Sequence, residues 1–144
     1  MKNTNGDIEI PALGCKIGRA YFILLSQLAN TLNEAGLEIT TSEYLVLRAV
    51  YSKEGIQQCE IAELVGKDKA AVCRCVATLE KKGFIVTESV SHKCLKVYPT
   101  EYACKIEPRI MEVAERRHQA LAALSSPENL KIFTDILDKI IMTS

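Results

Sequence analysis

Gln57-Gln58-Cys59-Glu60-Ile61-Ala62-Glu63-Leu64-Val65-Gly66-Lys67-Asp68-Lys69-Ala70-Ala71-Val72-Cys73-Arg74-Cys75-Val76-Ala77-Thr78-Leu79-Glu80-Lys81-Lys82-Gly83 is the stretch on which the reading of this chain turns. It spells a short helix, a turn that Gly66 permits, and a longer helix that Gly83 stops. Ile61, Leu64, Val72, Val76 and Leu79 supply the apolar stripe. At about 100° per residue, Val72, Val76 and Leu79 share one side of the second helix. Ala70, Arg74, Ala77 and Lys81 lie on the other side, with Lys69 and Cys73 on the flank. Asp68 stands where an N-cap would bond the free amides, and Lys81 and Lys82 would complement the dipole at the far end. A helix-turn-helix is expected, its second helix carrying small side chains and a guanidinium suited to close approach in a major groove.

Upstream, Leu13, Ile17, Tyr21, Leu24, Leu25, Leu28 and Leu32 recur at three- and four-residue steps, which predicts one long amphipathic helix from Ala12 to about Ala35, ended by Gly36. Residues 1–10 are polar and expected to be mobile, with Pro11 leading into that helix. Thr40 and Glu43 have capping-box spacing ahead of a mostly buried second helix, which Gly55 closes. Downstream of Gly83 the period changes from 3.6 to 2. Residues 84–90 and 94–98 read as a two-stranded ribbon with Ser91-His92-Lys93 at its tip and Pro99 at its end, the position of a wing. A long helical run follows from Thr100 to about Leu124, where Pro108 predicts a kink or local break. Ser125-Ser126-Pro127-Glu128 reads as stop, cap and restart. The last helix gathers Leu130, Phe133, Ile136, Leu137, Ile140 and Ile141 on one face.

The 144 residues make one domain's worth of chain, 48% hydrophobic and 25% charged, enough for a folded, helix-rich protein. No apolar run approaches a membrane span and no signal pattern opens the chain, so a soluble, cytoplasmic protein is expected. Net charge is zero but unevenly placed: −2 over residues 1–60, +3 over 61–100 and −1 over 101–144. The positive share coincides with the helix-turn-helix and wing, as a local footprint for nucleic acid would. Six cysteines, Cys15, Cys59, Cys73, Cys75, Cys94 and Cys104, read as reduced thiols without a secretory signal. Cys73 and Cys75 diverge on their helix, and no Cys-x-x-Cys spacing exists, so neither a metal nor another cofactor is expected. No nucleophile–base pair, phosphate loop or paired-carboxylate motif is visible, which argues against an enzyme.

Residues 37–48, 59–64 and 72–85, in this order and within this succession of elements, resemble the MarR family of bacterial transcription regulators. The resemblance runs from about residue 12 to 142. It implies a mainly α fold with a small two-stranded β-wing: a winged helix-turn-helix lobe at 37–100, flanked by dimerisation helices at 12–36 and 101–144. It also implies a homodimer on a pseudo-palindromic operator in double-stranded DNA, most often a repressor, released by a small-molecule effector or by an oxidant. The alternative class is a winged-helix module for protein–protein interaction. Only a DNA binder must release counterions, so salt-dependent duplex binding separates the two.

Arg74 is the expected base contact, since arginine on guanine is the commonest specific pairing. Ala70, Ala71, Cys73 and Ala77 would permit close approach, and Lys67, Lys69 and Lys81 are phosphate candidates. At the wing tip the family usually carries an arginine; His92 and Lys93 stand here instead, and lysine cannot fork around two acceptors. Weaker wing readout is therefore expected. By the same resemblance Cys15 is a candidate oxidant sensor near the start of the first helix, beside the plainer reading of a cysteine with no such role. Tyr21, Leu25, Tyr44 and Leu47 are candidate lining for an effector pocket. Modification of Cys73 would add bulk at the DNA face. Cys75 borders the core stripe, and Cys59, Cys94 and Cys104 are expected to be packing residues. His118 is expected on a helix face near the dimer contact.

Overall fold

The computed structural model describes residues 12–143, so the expectations for residues 1–10 and Pro11 lie outside the described residues. The elements run α1 (Leu13–Glu34), α2 (Thr41–Ser52), β1 (Ile56–Gln57), α3 (Gln58–Val65), α4 (Lys69–Lys81), β2 (Ile85–Ser91), β3 (Cys94–Pro99), α5 (Glu101–Ala122) and α6 (Pro127–Met142). The core lies between α2, α3, α4 and the sheet, where Val46, Leu47, Val50, Ile56, Ile61, Val72, Leu79, Ile85 and Val97 are fully buried. Leu32 of α1 and Ala103, Ile106, Ile110 and Val113 of α5 close it from the far side.

The ribbon has a third strand that the periodicity did not reveal. β1 pairs antiparallel with β3, giving the order β1-β3-β2, with Ile56 opposite Val97 and Gln57 opposite Lys96. Two residues are too few to display a period of two. The hairpin proper pairs Ile85 with Pro99 through Ser91 with Cys94, with an irregularity between Ser89 and Ser91.

Caps follow the sequence at most ends. Thr100 Oγ1 accepts from the Ala103 N–H, and Ser126 Oγ from the Asn129 N–H, with Pro127 at the first turn of α6. The box expected at α2 forms only in half. Thr40 Oγ1 accepts from the Glu43 N–H at 3.1 Å, but the Glu43 carboxylate turns to Lys82, whose Nζ lies 2.8 Å from Oε2. Lys82 also donates to the Glu38 carbonyl at 3.0 Å. The ammonium expected to soften the end of α4 thus ties that end to the start of α2, because a carboxylate only 7% exposed needs a cation.

Other expectations are corrected. Leu64 is 68% exposed, because α3 turns Ile61, Ala62 and Val65 inward instead. Cys59 and Cys104 are exposed rather than packed, the one on the first turn of α3 and the other off the buried Ala103–Ile106–Ile110–Val113 row of α5. The helix of α5 continues through Pro108, so no break occurs there. Much of the α1 stripe stays in solvent, with Leu13 and Tyr21 each 53% exposed, and α6 buries no residue within this chain.

Candidate nucleic-acid interface

The placement of α4 is over-determined. Val72, Val76 and Leu79 are buried against the lobe, which fixes the rotation of the helix about its axis. Gly66 takes φ +66° to reverse the chain after α3, and Asp68 Oδ1 then accepts from the Ala71 N–H at 2.7 Å. At the other end the Phe84 N–H returns to the Leu79 carbonyl at 2.9 Å, and Thr100 Oγ1 donates to the Gly83 carbonyl at 2.7 Å. Thr87 Oγ1 donates to Glu80 Oε2 at 2.8 Å, bracing the root of the wing on α4.

Because its inner side is fixed, α4 shows a defined outer side. Lys69, Ala70, Cys73, Arg74, Ala77 and Lys81 are all exposed there, while Ala71 and Lys67 are half-buried at its edge. Among the described residues no hydrogen bond or ion pair holds the side chains of Arg74, Lys69 or Lys81, so these cations carry no internal partner to give up. Cys75 packs on the core edge, and burial pushes its thiol up, as a structural cysteine requires. At the near end, Glu60 accepts from the Gln57 N–H and from Lys53 Nζ; the Lys53 bond, more than any other cause, holds its carboxyl below the usual range.

His92 and Lys93 are exposed at the turn between β2 and β3. Together with Lys69 they line a cleft of about 380 Å³ between the wing and the first turns of α3 and α4. Gln57, Gln58, Cys59, Ser89, Ser91 and Cys94 also border it, and no carboxylate does. The Gln58 Oε1 atom is buried without a hydrogen-bond partner. Sequence reading missed this cleft, since it depends on β1 docking to β3, which pairs Ile56 with Val97 across a long stretch of chain.

The effector candidates differ in exposure. Tyr44 and Leu47 are core residues, 4% and 0% exposed, whereas Tyr21 stands out from α1 and Leu25 is half-buried there. Cys15 is a free, exposed thiol on α1, and His118 is exposed on α5.

Comparison with known proteins places this geometry. The sequence model of the MarR family matches residues 39–88, from the lead-in to α2 to the middle of β2. The uncharacterized HTH-type transcriptional regulator YybA of Bacillus subtilis (strain 168) is 32% identical over 95 residues, covering 64% of this chain and 63% of that protein. The chain thus matches somewhat less than two thirds of that relative's length. The crystal structure of the transcriptional regulator SlyA superposes with a TM-score of 0.82 at 26% identity, covering 91% of this chain and 92% of that one. The S. aureus MepR–DNA complex superposes with a TM-score of 0.79 at 17% identity, covering 95% and 98%. Among the described residues, no helix is long and apolar enough to cross a membrane.

Proposed function

We propose that this chain is a MarR-family regulator, from the family match at residues 39–88 and from its fold, and that it is a sequence-specific repressor binding a pseudo-palindromic operator as a homodimer. The observation that carries the reading is the outer face of α4. It sets one uncommitted guanidinium among alanines, has lysines at both ends, and is held in place from the inside by buried valine and leucine. Arg74 would meet a guanine edge, Ala70, Cys73 and Ala77 would let the helix approach, and Lys67, Lys69, Lys81, His92 and Lys93 would face phosphates. The solved MepR complex with DNA supports the same use of the shared fold.

A dimer would place two such helices about one turn of duplex apart, roughly 34 Å. The exposed apolar residues of α1 and α6 supply a surface for it. Release would come from a ligand or thiol modification that favours a lobe spacing out of step with successive grooves. The test is selection of bound sequences from a random duplex pool, followed by titration at several salt concentrations. A palindromic consensus is expected, with affinity falling linearly in log salt by about 0.9 per neutralised phosphate. Binding without sequence preference, or without salt dependence, would overturn the reading.

A further inference from the structure

The end of α4, the turn between α1 and α2, and α5 meet at one joint, and three side chains tie it into a closed triangle. Lys82 Nζ, from the C-cap of α4, donates to the Glu38 carbonyl of the turn at 3.0 Å. Arg109 Nη2, from α5, donates to the Ala35 carbonyl at the start of the same turn at 2.6 Å. Thr100 Oγ1, at the N-cap of α5, donates to the Gly83 carbonyl just past α4 at 2.7 Å. The last turn of α1 holds no basic residue, so Arg109 brings from another helix the cation that the carbonyl end of a helix dipole favours.

The middle of the triangle is not filled. A cleft of about 280 Å³ opens among Leu37, Lys82, Phe84, Tyr102 and Arg109, with the Phe84 and Tyr102 ring centroids 5.4 Å apart. Where elements are close-packed, interdigitated side chains fix the angle between them. Across a cleft that task passes to the bonds that span it. Lys82 is further held by Glu43, whereas Arg109 is exposed and reaches the turn from α5 alone.

We propose that Arg109 is a positioning residue for DNA recognition. By holding the α1–α2 turn to α5 it fixes the angle between α4 and the long helices, and so the half-site spacing that the dimer accepts. This rests on the DNA-binding reading above. The lever is long enough to matter. A tilt of about 6° at one end of the 22-residue α5, about 33 Å long, displaces the other end by about 3.4 Å, the rise of one base pair. Arg109 belongs to α5, so its effect falls on spacing and not on the bases that α4 reads.

The experiment measures binding of full-length wild type, Arg109→Gln and Arg109→Lys to duplexes whose selected half-sites stand one to three base pairs nearer or farther apart. The wild type is expected to favour one spacing by tenfold or more over its neighbours. Arg109→Gln should flatten that preference to threefold or less, with unchanged urea midpoint and unchanged affinity for an isolated half-site. Arg109→Lys, which keeps a charged donor, should restore part of the preference. A glutamine variant with the wild-type spacing profile, or one that loses affinity equally at every spacing, would overturn the role. Hydrogen exchange reads the clamp without DNA. The amides of Ala35, Gly36 and Leu37, bonded to the Thr31, Asn33 and Leu32 carbonyls, should exchange fivefold or more faster in Arg109→Gln, and unchanged exchange would overturn the clamp. A wild type that binds no duplex would instead sink the DNA-binding function and the spacing role with it, leaving exchange to decide the clamp.

Discussion

Arg74 projects from the outer face of α4 with no partner inside the protein, so its removal should leave the fold intact and subtract one base contact. Arg74→Ala is expected to cost about 1–3 kcal/mol of operator affinity and to relax preference at one base position. A gel-shift titration showing unchanged binding would remove that role. Lys82 is a different kind of cation, spent on Glu43. Lys82→Met leaves a carboxylate with little water and should cost roughly 1–3 kcal/mol of folding stability; the pair is partly exposed on the lysine side, which tempers the loss. Adding Glu43→Gln should return part of it in urea denaturation, since the stranded charge is then gone. Tyr51 donates to the Ala103 carbonyl, and burial above all, then the nearby Glu107 charge, holds its proton well above the usual tyrosine range. Its contribution is therefore complete below about pH 10, the unfolded value, and drains as pH rises through the folded value. Tyr51→Phe, with no proton to lose, should show a shallower decline in thermal midpoint above about pH 10; parallel curves would refute this.

At the scale of elements, the turns into and out of the reading helix matter more than the helix propensity. Gly66 and Gly55 both hold positive φ, +66° and +80°. A Cβ at Gly66 would meet nothing within 4 Å, while one at Gly55 would meet the Tyr98 ring at 3.2 Å. Gly66→Ala should thus cost about 1 kcal/mol, the backbone strain alone, and Gly55→Ala distinctly more, because the ring must also shift. Equal costs in parallel urea titrations would mean that Tyr98 yields freely. The caps at Thr40, Asp68 and Ser126 were legible in the sequence because a capping side chain acts within three residues. The partner of Glu43 was not, because Lys82 lies thirty-nine positions away.

For the whole molecule, the apolar residues left over on α1 and α6 are the largest unsettled term. Phe133, Ile136 and Ile140 are about half exposed, and Leu13, Tyr21 and Phe22 more than half. A second copy covering them would bury on the order of 1,200–2,000 Å² in total, the range of a stable interface. Phe133→Asp with Ile140→Asp should shift sedimentation from dimer to monomer and weaken operator binding, since each lobe alone keeps only half of the contacts. A double variant that stays dimeric would place the interface elsewhere. The uneven placement of charge explains why a zero net charge is no obstacle to the proposed DNA binding. An excess of three positive charges sits on residues 61–100, which hold α4 and the wing, and the compensating acids lie outside that stretch.

Sequence alone determined the order of helices, their ends, the turn at Gly66 and the inner and outer faces of α4. Each of these is written in local spacing, and periodicity and capping are physics of neighbours. Tertiary structure decided what depends on distant segments meeting. It turned Leu64 outward, added β1 to the sheet, gave Lys82 to Glu43, and opened the cleft between the wing and the first turns of α3 and α4. A side chain's burial and partners are set by whichever surface arrives across from it, and no local pattern carries that information.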